Sequence, residues 1–127
     1  MDTRRLRLLV VSLIVTFAVT RMSLSLSPNS DFDFAGYNIH HLFTGLLLIF
    51  AGGIPLALFP HRSRLLDAAT VAFGAGLALT LDEWVYLIAT DGSNASYLLP
   101  VSLTGALAMV GLALMYVLIL YLISRRR

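Results

Sequence analysis

Four long apolar runs, at about 6–26, 39–59, 65–90 and 98–124, take up most of this chain and restrict what it can fold into. A bilayer core is roughly 30 Å thick, so a helix needs about 20 apolar residues to cross it. Each run reaches that length, which predicts four transmembrane helices. The third would extend about 39 Å at a rise of about 1.5 Å per residue, so it must tilt or run into the interface. At 58% apolar and 13% charged residues, with mean hydropathy +0.85, the chain is too apolar for an ordinary soluble domain. The connections are short, so successive helices should alternate in direction. The expected fold is all-α, a four-transmembrane-helix up-down bundle built from a single integral membrane domain over residues 1–127.

Orientation follows from arginine, the only basic residue besides histidine. Arg4, Arg5 and Arg7 precede or open the first run, Arg62 and Arg64 occupy the middle connection, and Arg125, Arg126 and Arg127 end the chain. The connections 27–38 and 91–97 hold Asp31, Asp33 and Asp91 and no arginine. Basic segments stay on the cytoplasmic side. A multi-pass protein of the cell membrane is therefore expected, with both termini cytoplasmic and the acidic connections outside. The net charge of +2 reflects that topology rather than nucleic-acid binding, for which no motif is present. Tyr37 and Tyr97 should mark the outer interface and Tyr121 the inner one. The first run has the basic start of a signal peptide, but three more spans follow it, and it is expected to remain uncleaved.

Small residues mark where helices can approach closely: Gly45, Gly52 and Gly53 on the second helix, Ala72, Gly76 and Thr80 on the third, Gly105 and Ala106 on the fourth.

Five ionisable residues interrupt the apolar pattern at a common depth: Arg21, His40, His41, Asp82 and Glu83. Asp82 lies about 12 Å along the third helix from its outer end, on the side where His40 and His41 open the second. Such groups are expensive in a bilayer and usually face a partner, a cavity or a ligand. Adjacent residues on a helix point about 100° apart. Glu83 continues the Ala72–Gly76–Thr80 face and is the better placed of the two to face the interior, with Asp82 able to turn toward another neighbour; two adjacent residues can also straddle the bundle centre. Imidazoles with carboxylates suit zinc, iron or manganese, and a catalytic site keeps one position open. The candidate metal set is His40, His41, Asp82 and Glu83, with Arg21 supporting it or binding an anion. The plainer alternative pairs Arg21 with one carboxylate and the histidines with the other, fastening three helices. With no cysteine, thiolate zinc sites, disulfides and cysteine nucleophiles are excluded.

Ile39-His40-His41-Leu42-Phe43-Thr44-Gly45 and the later Gly74-Ala75-Gly76-Leu77-Ala78-Leu79-Thr80-Leu81-Asp82-Glu83 resemble a group of small, uncharacterised bacterial integral membrane proteins. These share an I-H-H-x-x-x-G helix start and a later G-x-G-x-x-L-x-x-D-E-like run. The likeness covers the second and third spans, about half the chain. Many members carry a further histidine near the pair; this chain has Asn38 near there, which weakens a three-histidine site. The resemblance implies a shared site and a bacterial-type membrane location, not a reaction.

Three functional readings follow. The first is a membrane protein with a divalent transition metal bound near the outer leaflet, which leaves open whether it is an enzyme. The second is a small transporter or channel subunit passing protons or cations through its histidines and carboxylates. That needs a polar path through nearly uninterrupted apolar inner halves, which a homo-oligomer or a membrane partner protein could complete. The third is a structural or partner-binding membrane protein with an internal ion cluster. Membrane lipids are the expected surroundings in all three.

Overall fold

One helix, rather than a shared central axis, organises the molecule. The computed structural model describes residues 2–27, 33–34, 37–38, 40–60 and 63–126, with backbone alone for 33–34 and 37–38. Among them the elements run α1 (Thr3–Leu26), β1 (Asp33–Phe34), β2 (Tyr37–Asn38), α2 (His41–Leu58), α3 (Arg64–Ala89), α4 (Asn94–Tyr97) and α5 (Pro100–Arg125). The four long helices coincide with the four apolar runs, and each is long and apolar enough to cross a membrane. Two small elements were not anticipated and fall inside the acidic connections. One is a two-residue antiparallel pairing of β1 with β2, Asp33 opposite Asn38. The other is the single turn of α4.

Local chemistry explains most helix starts. The Asp2 side chain accepts from the N–H groups of Arg4 and Arg5 at 3.0 and 3.5 Å, capping α1. Ser63 accepts from the Leu66 N–H at 3.3 Å, capping α3. Pro100 opens α5, where the N–H it lacks would have no helical partner. The start of α2 is the exception: its N-cap is His40, which makes no side-chain capping bond. His40 thus stands just outside the helix that the sequence has it opening.

α3 packs along α1, α2 and α5, and 44% of its most apolar stretch is buried against 11% in each of the others. Arg4 meets Asp67 at 2.8 Å, Gly74 lies against Leu9 and Ser12, and Arg21 meets Asp82, so α1 runs in the sense of α3. Gly52 lies against Ala69 and Phe73 while Gly45 lies against Gly76 and Thr80, so α2 runs the opposite way. Gly105 lies against Val85, and Val110 packs with Leu13 and Ala78, so α5 also opposes α3. The arginine-rich helix ends therefore gather at one end of the bundle, the arginine end, and Arg21, Asp82 and Glu83 sit toward the other.

Glycine makes this closeness possible. A Cβ on Gly45 would stand 2.5 Å from Thr80 Oγ1 and 2.7 Å from the Gly76 carbonyl oxygen. One on Gly76 would stand 2.6 Å from the Gly45 carbonyl oxygen. The α3 positions that touch these α2 glycines are Ala69, Phe73, Gly76 and Thr80, so the predicted stripe is present but offset from Ala72. Outward, Val11, Ile14, Leu47, Phe50, Ile54, Leu107 and Leu118 are exposed. Apolar surface of that extent is a liability in water; with four spans of membrane length it is the exterior of a multi-pass membrane protein.

Gly45→Ala should destabilise the protein by about 1–3 kcal/mol, because the inserted methyl meets the Gly76 and Thr80 backbone as well as the Thr80 hydroxyl, and turning that hydroxyl away would not relieve the backbone contacts. Gly111, with nothing within 4 Å of its would-be Cβ, is the control: Gly111→Ala should be neutral or stabilising by up to about 1 kcal/mol. Unfolding in detergent checks both, and equal effects would contradict this packing.

Candidate functional site

Asp82 and Glu83 are the deepest charges in the structure, 0% and 3% exposed. Successive residues on α3 point about 100° apart, so the two carboxylates divide their partners among the surrounding helices.

Asp82 is turned toward α1 and the α4 turn. Arg21 Nε donates to Asp82 Oδ1. Arg21 Nη2 donates to the Asp82 carbonyl at 3.2 Å and to the Ser102 carbonyl and hydroxyl oxygens at 3.1 and 3.2 Å. Asp82 Oδ2 accepts from the Tyr97 hydroxyl and faces His41 Nε2 at 2.9 Å. The guanidinium also lies 4.2 Å from the centroid of the Tyr97 ring, a cation–π contact. One carboxylate thereby holds α1, α2 and α4 at the level of residue 82, and α5 through Arg21.

Glu83 is turned toward α2 and supplies the cap that His40 does not. Its Oε2 accepts from the Leu42 N–H at 2.7 Å. Leu42 is the second residue of α2, where an N-cap side chain would ordinarily bond, and the helix dipole favours a negative charge at that end. The other oxygen, Oε1, faces His40 Nδ1 at 3.2 Å and His41 Nδ1 at 3.3 Å. His41 therefore presents one ring nitrogen to each carboxylate.

Aromatic rings and α4 complete the enclosure. Tyr86 and Tyr97 meet edge to face with centroids 5.3 Å apart, and Tyr97 meets the His41 ring the same way at 5.9 Å. Burial, reinforced by the negative charge of Asp82, pushes the Tyr97 phenol well above its ordinary value, so it keeps its proton and acts as a donor. Asp91 anchors the loop that carries Tyr97. It accepts from the Ser96 hydroxyl at 2.7 Å and the Ser93 N–H at 3.0 Å, and these bonds hold its carboxyl down at about 2.

All five residues singled out in the sequence thus meet in one cluster. Both carboxylates are interior, not Glu83 alone. Tyr97, expected at the membrane interface, is buried against Asp82 instead. The sequence reading missed Ser102, Tyr86, Tyr97 and the Leu42 N–H. A signal existed for two: Tyr86 follows Glu83 by three positions on α3, and Ser102 is an isolated hydroxyl in an apolar span beyond Pro100. At the arginine end, Asp67 pairs with Arg4. The Tyr37 side chain, expected at the outer interface, lies outside the described residues.

Among the described residues no three His, Asp or Glu side chains stand ready-arranged around a metal position; the donors close on one another. No family model, curated protein sequence or solved structure matches this chain.

Removing one partner of a buried ion pair strands the other and costs about 3–5 kcal/mol. Asp82→Asn should therefore destabilise the protein by about that amount, as should Arg21→Met, and the double variant should lose clearly less than the sum of the two. Unfolding followed by the fluorescence of Trp84, the single tryptophan, measures the cycle. Simple additivity would show that the pair carries no coupling.

Proposed function

We propose that this is an up-down multi-pass membrane protein with both termini cytoplasmic, whose cluster binds a divalent transition metal: zinc, iron or manganese. His40, His41 and Glu83 are the donors in this reading, and Asp82 holds His41 in place. The observation that carries it is the convergence of two imidazole nitrogens on one carboxylate oxygen, at 3.2 and 3.3 Å. Those separations are long for N–H···O bonds and near the roughly 3.3–3.4 Å edge of a tetrahedron around a metal with bonds of about 2.0–2.1 Å. Charge supports the same assignment. Asp82 and Glu83 bring two negative charges and Arg21 one positive charge, a net −1; a divalent cation in place of protons brings the set to +1, which a hydroxide in the open fourth position would offset. Asp82 stands behind His41 as a carboxylate stands behind a metal-bound imidazole, fixing its tautomer. Three protein donors leave a fourth position for water or substrate.

A second reading, the internal ion cluster, has its own observation. His41 has an acceptor-only carboxylate oxygen at each ring nitrogen, and a proton on both nitrogens satisfies both. With Arg21, that makes the cluster neutral without a metal.

Elemental mass spectrometry on protein purified in mild detergent separates the two. The first reading expects about one metal per chain in the parent and none in folded His41→Ala or Glu83→Gln variants. Asp82→Asn should still load, with affinity lower by roughly 10- to 100-fold. A parent that takes up no zinc, iron or manganese rules the metal out and leaves the ion cluster.

The topology rests on the arginine distribution, and the likeness to small bacterial membrane proteins suggests a bacterial cell membrane. Because the chain has no cysteine, single introduced thiols report sidedness directly. Ala95→Cys should label from outside intact cells and Arg126→Cys only after permeabilisation. The reverse pattern would invert the protein.

A further inference from the structure

At the arginine end, α1, α2, α3 and α5 surround a cavity of about 330 Å³ that opens to the exterior. Leu6, Leu9, Leu56, Phe73, Val117 and Leu120 form its apolar wall, and Arg5 and Asp2 line it at the first turn of α1. The hydroxyl of Thr70, also in the wall, donates to the Leu66 carbonyl at 2.7 Å, so the interior offers it no further polar demand. From Asp2 to Leu9 the wall follows α1 for about 10 Å. An occupant must therefore be apolar for that length, with its polar end at the arginines. A second recess of about 340 Å³ flanks the same turn, lined by Arg4, Arg7 and Thr3 together with Leu8 and Val11. Among the described residues this end carries Arg4, Arg5, Arg7, Arg64, Arg125 and Arg126 against Asp2 and Asp67, six positive charges less two negative.

We propose that this cavity is a binding site for an anionic phospholipid, with part of one acyl chain between the helices and the phosphate among the α1 arginines. Basic residues beside an interhelical recess at a membrane surface are a recurring setting for acidic headgroups. The volume lies at the lower end of the roughly 300–1,000 Å³ typical of ligand pockets, enough for a chain segment and too small for a folded partner. The helices that form the walls are membrane-spanning, so a membrane amphiphile reaches the opening laterally. The site is at the opposite end of the bundle from Asp82 and Glu83 and is independent of what that cluster binds.

Native mass spectrometry from mild detergent tests it, with phosphatidylglycerol, chain-matched phosphatidylcholine and palmitate titrated separately. One phosphatidylglycerol per chain should be retained, about tenfold more tightly than phosphatidylcholine. Arg5→Gln, at the mouth, should narrow that preference roughly five-fold. Leu9→Trp and Val117→Trp fill the cavity from two different helices, and either one, with parental helicity, should lose the bound lipid. Equal retention of the two phospholipids overturns the headgroup assignment, and unchanged binding in the tryptophan variants overturns the cavity. Palmitate bound as tightly as phosphatidylglycerol would make the ligand a fatty acid instead.

Discussion

Two adjacent ionised carboxylates cannot be buried among apolar helices unless donors reach them from outside their own helix. An uncompensated charge in such surroundings is far more expensive than the net stability of a small protein. That requirement specifies the half of the bundle away from the arginine end. Asp82 needs Arg21 from α1, Tyr97 from the α4 turn and His41 from α2; Arg21 in turn needs the Ser102 oxygens of α5. Shifting any one helix by a turn would leave a charge or a guanidinium N–H unsatisfied. The cluster acts as a register pin, whatever else it does. Helix packing between apolar faces alone is permissive about sliding, because lipid tails solvate leucine as well as leucine does.

The pin works only because the backbones are close. Gly45 lies one turn from His41 on α2, and Gly76 and Thr80 precede Glu83 on α3. A side chain at either glycine would push the helices apart and lengthen the Leu42 N–H to Glu83 bond of 2.7 Å. α2 has no cap of its own, so that bond also finishes the helix. Steric closeness, charge compensation and helix capping are thus one arrangement seen from three sides. In a longer or looser connection α2 would need a Ser or Asp at its start; here a carboxylate from another helix takes that part.

Much of this was legible in the sequence, and the parts that were not share a cause. Span positions follow from length and hydropathy, which act locally, so the four long helices lie where the apolar runs lie. The five-residue cluster was legible because intramembrane charges are rare enough that equal depth implies contact. What escaped were contributions whose partners are set by tertiary distance. Tyr97 has the composition of an interfacial aromatic and becomes a hydrogen-bond donor only because α4 turns it inward. A backbone N–H such as that of Leu42 has no sequence signal at all. The choice of α3 as hub was also hidden: its share of apolar residues is not the highest, but its Gly74, Gly76 and Ala78 let three helices approach on different sides.

The two carboxylates, one residue apart, end up chemically unlike. Asp82 has Arg21 on one oxygen and Tyr97 with His41 on the other, and its partners come from three separate elements. Releasing it would loosen the whole register. Glu83 has one oxygen committed to the α2 backbone, while among the described residues Oε1 meets the two imidazoles, at the long distances of 3.2 and 3.3 Å. Imidazole is the side chain most readily exchanged between proton and metal near neutral pH. Under the metal proposal the part that takes the ion is therefore Oε1 of Glu83 with His40 and His41, and the part that stays fixed is Asp82 with Arg21 and Tyr97. The division between the two carboxylates follows from the turn of about 100° between neighbours on one helix.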